Sequence, residues 1–272
     1  MSVSQSPPLL SGNTRLYAIV GDPIAQVGSP RLFNAAFRAR GLDAVLVAMH
    51  VAPQDLAGMV ANFRVMKNFD GLIVTVPHKI AVAGMIEHLG GNAARTGAVN
   101  TIRKLPDGSL LGDNFDGAGF VRGLSSRGIG LAGKNVLVIG AGGAGCAVVN
   151  AVADQHAARV GVYDVDAKRQ DDLVASVSGH VRGVRIEACK PVAAGFDVIV
   201  NCTSVGMKPG DPLPVDIAGI GPQTVVADII LKPVRTPLLE AAALRGCTTH
   251  EGHAMLEGQV DTVMDFFFSP TP

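Results

Sequence analysis

The sequence lacks an excess of charge of either sign. Lys and Arg together number 23, as do Asp and Glu, so the formal net charge at pH 7 is zero. Proteins that bind nucleic acid or an anionic membrane normally show a basic excess or a basic stripe. The balance therefore argues against both partners and favours a small-molecule ligand.

Paired cysteines and long apolar runs are also missing. The four cysteines stand far apart, without C-x-x-C pairs or metal-ligand spacing, at positions Cys146, Cys189, Cys202 and Cys247. We interpret them as buried small hydrophobes in a reducing cytosol, and we expect no metal site. No apolar run approaches about 18 residues, and the N-terminus lacks the features of a signal peptide. We therefore expect a soluble, cytoplasmic protein without a membrane partner.

What is present suits two domains, because the chain has 272 residues and 48% of them are hydrophobic. In the first half, short apolar runs alternate with helical patterns. Ser29 is predicted to cap a helix that has Pro30 at its first position. A further helix is predicted over about residues 79–89. The apolar runs predict strands at residues 16–21, 44–51 and 71–76.

The second half begins after a hairpin signal, Pro106-Asp107-Gly108. Beyond a predicted helix over about residues 116–127, continuous apolar runs indicate a parallel sheet covered on both faces, with strands at 136–139, 160–163, 197–201 and 224–228. The last segment has a helical pattern. We predict an α/β protein with two domains. The substrate domain comprises residues 1–115 plus 252–272, and residues 116–251 form a Rossmann-like doubly wound parallel sheet.

A glycine-rich turn follows the first strand of that second sheet and precedes a helical pattern. A backbone turning there needs residues without Cβ to bring its N–H groups against a pyrophosphate, and the helix N-terminus adds a favourable dipole. Nucleotide binding is the predicted role, and tight strand–helix packing is the alternative. The predicted phosphate loop contains Gly140, Ala141, Gly142, Gly143, Ala144 and Gly145.

The nucleotide is indicated by Asp164, which lies 24 residues after Gly140 at the end of the next predicted strand. A carboxylate there accepts hydrogen bonds from the adenosine 2′-hydroxyl and repels a 2′-phosphate, so NAD is favoured over NADP. Lys168 and Arg169 lie nearby and would suit NADP, although a solvated helix start explains them more simply.

Three polar residues offer proton chemistry. Lys79 follows a buried strand at a predicted helix start, where the helix dipole disfavours a cation and eases loss of its proton. Asn100 and Asp116 flank the predicted hairpin, so both can return to one cleft. Taken singly, Lys79 can be an ordinary surface lysine, and Asn100 and Asp116 can be turn formers. Together they can hold a hydroxyl while hydride leaves its carbon.

Eight motifs follow one another along the chain: YAIVGDPIAQVGSPRLFNAAF, GLIVTVPHK, GAVNT, LGDNFDGAGF, VIGAGGAG, NCTSVGM, KPVRTPLL and GHAMLEGQ. In this order they resemble the shikimate/quinate dehydrogenase family over nearly the whole chain. The motifs of the first half are much more specific than the glycine turn.

The resemblance implies roles for individual residues. Lys79 and Asp116 match the family's catalytic pair, which binds the reacting hydroxyl and handles its proton while hydride passes to the nicotinamide. Substrate-binding positions are matched by Ser29, Thr75, Asn100 and Gln259. Positions beside the cofactor are matched by Thr203, Ser204, Gly252 and Met255. Family members occur as monomers and homodimers, and both stay open here.

The chain departs from the family at three hydroxyl positions. Residues 26–30 read Gln-Val-Gly-Ser-Pro where His-Ser-x-Ser-Pro is usual, so Val27 replaces the first serine. Phe115 replaces the threonine of Asn-Thr-Asp-Gly, and Leu231 replaces a common tyrosine. Losing one hydrogen bond to a charged group costs roughly 1.5 to 3 kcal/mol.

These departures leave the substrate open. Either the remaining polar groups still hold shikimate or quinate, or the pocket serves a related, less polar cyclic hydroxy acid. A non-catalytic alternative is an NAD-binding sensor with little turnover, although a sensor has no need of both Lys79 and Asp116.

Overall fold

The structure, a computed structural model, describes residues 10–268. Its strands are β1 (Arg15–Gly21), β2 (Ala44–His50), β3 (Phe69–Val74), β4 (His88–Leu89), β5 (Thr101–Lys104), β6 (Leu110–Asp113), β7 (Asn135–Ile139), β8 (Arg159–Tyr163), β9 (Arg185–Ala188), β10 (Val198–Asn201), β11 (Val225–Asp228) and β12 (Thr248–His250). Its helices are α1 (Ser29–Ala39), α2 (Leu56–Val65), α3 (Lys79–Ala83), α4 (Gly91–Thr96), α5 (Asp116–Ser125), α6 (Gly143–Asp154), α7 (Ala167–His180), α8 (Pro237–Ala243) and α9 (Gly252–Phe268), with a 3-10 turn at Pro53–Asp55. Between residues 10 and 268, no helix has the length and apolar content needed to cross a bilayer.

The first sheet is mixed and has the strand order β2-β1-β3-β5-β6-β4. β1 runs parallel to β2 and to β3, whereas β5 runs antiparallel to both β3 and β6. β5 and β6 form the predicted hairpin, and Gly108 in its turn has a φ of +88°. That left-handed conformation favours glycine, so the turn signal is confirmed.

The second sheet has the order β12-β11-β10-β7-β8-β9, and each of its neighbouring pairs is parallel. Alternate residues of β7 enter different apolar clusters. Val136 and Val138 pack into one cluster, whereas Leu137 and Ile139 pack into another. Both faces of the sheet are therefore covered, which explains the continuous apolar runs. The predicted α/β class with a doubly wound parallel sheet is confirmed.

The last helix, α9, packs back on the first sheet. The ring of Phe267 lies 4.9 Å from that of Tyr17 in β1, measured between centroids. A Cβ on Gly71 of β3 would stand 2.6 Å from a ring carbon of Phe267, so the helix approaches the sheet closely. The domain boundaries at residues 115 and 252 stay a prediction.

Two local predictions are wrong. The helix expected over residues 79–89 ends at Ala83. The segment that follows is held by Arg64, which donates to the Met85 carbonyl and to the Glu87 carboxylate. The Leu110 N–H donates to the same carboxylate. Ser29 is not a cap: it is the first residue of α1, Gly28 takes the cap position, and no side-chain capping bond forms. The buried Ser29 side chain faces a cavity instead.

Candidate active site

A cavity of about 1110 Å³ lies where strands of both sheets end. In open α/β sheets, ligands bind beyond the carboxyl ends of the strands. Here lining residues stand within two positions of four strand ends: Thr75 after β3, Ala141 after β7, Cys202 after β10 and Ile229 after β11. The cavity is therefore a cleft shared by the two sheets.

Lys79 and Asp116 form an ion pair in this cleft, through Lys79 Nζ and Asp116 Oδ2. Lys79 begins α3 as predicted, and Asp116 begins α5. The side chains are 15% and 4% exposed, respectively, so the two charges meet largely out of water. The Asp116 carboxylate compensates for the unfavourable interaction between the Lys79 cation and the positive end of the α3 dipole.

Buried hydrogen bonds fix Asp116 in place. Its backbone N–H donates to Asn114 Oδ1 at 3.0 Å, and Asn114 Nδ2 donates to the Ala98 carbonyl at 3.0 Å. Asn100 Nδ2 donates to Asp116 Oδ1 at 2.9 Å. One carboxylate oxygen thus faces an amide and the other faces the lysine, so the carboxylate has a defined orientation.

Gln259 reaches this group from α9. Its Oε1 accepts from Asn100 Nδ2 at 2.9 Å, and its side chain lines the cavity. α5 and α9 come this close because Gly119 lacks a side chain: a Cβ there would lie 2.5 Å from the Met255 carbonyl oxygen. The structure thus brings together four predicted residues, Lys79, Asn100, Asp116 and Gln259.

The other two predicted substrate residues, Ser29 and Thr75, also line the cavity. Val27 and Leu231 line it too, so two of the three positions that lack the family's hydroxyl lie at the site. Phe115, the third departure, does not line the cavity. Its ring packs 5.2 Å from that of Phe266, because the side chain points into the core of the first sheet rather than toward the cleft.

The glycine turn has the shape that a dinucleotide phosphate needs. Gly140 has a φ of +103°, and Gly142 has open space where a Cβ would stand. A Cβ on Gly145 would lie 1.9 Å from the Gly140 carbonyl oxygen, so α6 begins tightly against the turn. A Cβ on Gly143 would lie 2.9 Å from Lys79 Cβ, so the turn also adjoins the ion pair. Ala141, Gly142, Gly143 and Ala144 line the cavity, whereas Gly140 and Gly145 shape the turn behind it.

Asp164 holds the same turn. Its Oδ2 accepts from the Ala141 N–H at 2.6 Å, and its Oδ1 accepts from the Asp166 N–H at 2.9 Å. The half-buried carboxylate therefore lies beside the glycine turn, and its role in selecting the ribose stays a prediction.

The predicted cofactor positions Thr203, Ser204, Gly252 and Met255 all line the cavity. Thr203 is held by Asn201 Oδ1, which accepts from its hydroxyl at 2.7 Å. Asn201 in turn donates to buried Asp228 at 3.1 Å, and burial raises the pKa of that carboxyl.

Sequence reasoning missed several apolar lining residues, among them Met207, Ile229 and Ile230. The position of Ile229 and Ile230 just beyond β11 is the signal that could have found them, whereas Met207 lies further along the loop after β10. Cys146 and Cys202 also line the cavity, and burial raises the pKa of Cys146 to about 11. Within the described part of the chain, no group of three or more potential ligands could hold a metal ion.

Comparisons with known proteins agree with this arrangement. A family profile described as the shikimate dehydrogenase substrate binding domain matches residues 19–102. A second, described as shikimate/quinate 5-dehydrogenase, matches residues 124–207. Their order follows the two sheets.

Individual relatives cover almost the whole chain. Shikimate dehydrogenase (NADP(+)) of Acidiphilium cryptum is 36% identical over 97% of this chain and 94% of its own length. Shikimate 5-dehydrogenase of Listeria monocytogenes, solved with shikimate and NAD, is 29% identical, with a TM-score of 0.83 over 96% of this chain and 94% of that one. The ligand-free 5-ketofructose reductase of a Gluconobacter species is 30% identical, with a TM-score of 0.81 over 95% and 94%. The chain belongs to the shikimate/quinate dehydrogenase family of nicotinamide-dependent oxidoreductases.

Proposed function

We propose that this protein transfers hydride between NAD and a ring hydroxyl of shikimate, quinate or a closely related cyclic hydroxy acid. The observation that carries the proposal is the buried Lys79–Asp116 pair, held by Asn100 and placed beside the phosphate loop at Gly143. A proton donor–acceptor pair beside a dinucleotide site is what oxidation of an alcohol requires.

Different residues of the cleft would bind the cofactor, transfer the proton and orient the substrate ring. When bound, the nicotinamide cofactor supplies the hydride acceptor, and the N–H groups of residues 142–144 would hold its pyrophosphate. Lys79 Nζ and the Asp116 carboxylate would hold the reacting hydroxyl and receive its proton. Gln259, Ser29 and Thr75 would orient the ring so that the reacting carbon faces the phosphate-loop side of the cleft. Asn100, which the sequence also predicts to bind substrate, would act through Asp116 and Gln259, to which its amide donates.

We favour NAD as the cofactor because of the charges around Asp164. A 2′-phosphate would meet this carboxylate, and the two cations nearby already have acidic partners: Arg169 contacts Asp166 at 3.2 Å, and Lys168 contacts Asp172 at 2.6 Å. The A. cryptum relative carries NADP(+) in its name, whereas the L. monocytogenes structure holds NAD. The names of the curated relatives thus favour NADP, whereas the local charges of this chain support NAD.

A neutral polyhydroxy ketone is a second candidate substrate class. Val27 and Leu231 present hydrocarbon to the cleft, so no hydroxyl from these positions can bind a carboxylate. The Gluconobacter relative is a 5-ketofructose reductase, so a member of this fold at 30% identity takes a ketose. A sensor without turnover is less favoured, because it would not need the buried ion pair.

Steady-state kinetics on the purified protein separates these candidates. We expect oxidation of shikimate or quinate with NAD at a kcat/KM at least about tenfold above that for reduction of 5-ketofructose with NADH. The reverse order would favour the ketose. Tight NAD binding without turnover of any of the three compounds would favour the sensor.

A further inference from the structure

Every hydrogen-bonding site of the Asn100 carboxamide is used within the protein. The residue is 2% exposed. Its Nδ2 donates to Asp116 Oδ1 and to Gln259 Oε1, both at 2.9 Å. Its Oδ1 accepts from the Thr101 hydroxyl at 2.9 Å and from the Phe115 N–H at 3.0 Å. Two donors and two acceptors saturate a primary amide.

This arrangement gives the amide one orientation. The Phe115 N–H can only donate, and the Asp116 carboxylate can only accept. Turning the amide by 180° would place its nitrogen against the Phe115 N–H and its oxygen against the carboxylate. Thr101 adds the second donor on the oxygen side, and it is completely buried on β5, next to Asn100 in the chain.

The orientation of the Asn100 amide determines how its two neighbours in the cleft, Asp116 and Gln259, present their polar atoms. With Oδ1 of Asp116 bound to Asn100, Oδ2 faces Lys79. With Oε1 of Gln259 bound to Asn100, the amide nitrogen is the group that Gln259 can offer to a ligand. Gln259 can therefore donate from its amide nitrogen to a substrate oxygen.

We propose that Thr101 is a positioning residue: its hydroxyl, together with the Phe115 N–H, fixes the Asn100 amide, which aims the Asp116 carboxylate at Lys79 and leaves the Gln259 amide nitrogen to donate to substrate. Thr101 itself lies outside the residues that line the cavity. This role rests on the proposed function, because it acts on the same dehydrogenase site.

Thr101→Val tests the role, since valine has nearly the same shape and lacks the hydroxyl. We expect kcat to fall about tenfold with the best acid substrate, while the Kd for NAD stays unchanged. Thr101→Ser restores the hydroxyl and should return kcat to within about threefold of wild type. Thr14→Val is the matched control, because buried Thr14 donates to Asp43 at 2.8 Å in the same half of the chain, away from the cleft. It should lower Tm comparably and leave kcat unchanged.

The outcomes separate the two proposals. NAD binding identifies folded protein, and Thr101→Ala replaces Thr101→Val if the valine variant does not fold. Wild-type kcat in the hydroxyl-deleted variant, or equal loss in Thr101→Ser, would overturn the positioning role. Failure of the wild-type protein to oxidise any cyclic hydroxy acid would refute the proposed function instead.

Discussion

Among single residues, most charges near the cleft have a partner of opposite sign. Lys79 and Asp116 neutralise each other, and the exposed cations Lys168 and Arg169 each contact a carboxylate. Asp164 has backbone N–H groups as partners and no cation at its oxygens among the contacts described. Under the proposed function, its negative charge would repel the 2′-phosphate of NADP.

Removing that charge should change the cofactor preference. Asp164→Asn keeps an oxygen for the Ala141 N–H and removes the repulsion toward a 2′-phosphate. We expect the ratio of kcat/KM with NAD to that with NADP to fall at least about tenfold. Asp261→Asn, whose parent carboxylate is exposed on α9, is the control and should leave the ratio unchanged. An unchanged ratio in Asp164→Asn would remove the basis for NAD selection.

Residue types and spacing could predict the main polar groups of the site, because an amine, an amide and a carboxylate beside a dinucleotide turn have few other uses. They could not predict hydrogen-bond direction. That Asn114 anchors the Asp116 backbone and Thr101 anchors Asn100 depends on the path of the chain where β5 begins and where β6 ends. The path after β6 also turns the Phe115 ring into the core, which the replacement of a motif threonine could not reveal.

Among elements, α5 connects the two halves of the site. Its Gly117 lies against α6, where a Cβ would stand 2.4 Å from the Ala147 carbonyl oxygen. Its Gly119 lies against α9 in the same way. The helix that carries Asp116 is thus fixed between the cofactor helix and the helix that carries Gln259.

The close contact between β7 and α6 gives a test of the phosphate loop. In Gly145→Ala, the new methyl group would overlap the Gly140 carbonyl, so the turn must open. We expect the Kd for NAD to rise at least about tenfold, together with a lower Tm. Gly179→Ala in α7 is the matched control, because nothing lies within 4 Å of its Cβ position. It should preserve NAD binding and raise stability by roughly 0.5 to 1 kcal/mol. Wild-type NAD affinity in Gly145→Ala would contradict this account of the loop.

Hydrophobic pattern could predict the central strands, since buried strands need continuous apolar residues. It gave no signal for the edge strands β9 and β12, whose residues are largely polar or exposed. The two-residue β4 and the early end of α3 arise from contacts with distant residues, including Arg64, that local propensity does not contain.

At the scale of the whole molecule, the two halves meet around the cleft and through an ion pair at the surface beside it. Arg95 of α4 donates to both carboxylate oxygens of Asp154 of α6, at 2.9 and 3.0 Å. His250, just before α9, is 1% exposed, and its ring faces Phe120 of α5. Neither ring nitrogen of His250 has a hydrogen-bond partner within the described residues.

This buried histidine predicts a pH dependence of stability. Burial, with a smaller contribution from nearby Arg127, lowers the pKa of His250 from 6.5 to about 4. Between these values the unfolded chain binds a proton that the folded chain does not, so the free energy of unfolding falls as pH falls through this window.

Denaturant unfolding at a series of pH values measures this effect. The free energy of unfolding of the wild type should decline between about pH 6.5 and 4, and His250→Leu should make this decline smaller by roughly 2 kcal/mol. His88→Gln, on the exposed strand β4, should retain it. Equal declines in wild type and His250→Leu would show that His250 does not cause it.

The most direct test of the central claim is the single-turnover rate of hydride transfer with saturating NAD and shikimate or quinate, in wild type and in Lys79→Ala. Lys79 comes from the first sheet and the phosphate loop from the second, so the reaction needs both halves of the molecule. We predict rapid NAD reduction in wild type and a rate lower by at least about a hundredfold in Lys79→Ala, with an unchanged Kd for NAD. A Lys79→Ala rate close to that of wild type would contradict the assignment of the Lys79–Asp116 pair as the proton-handling site.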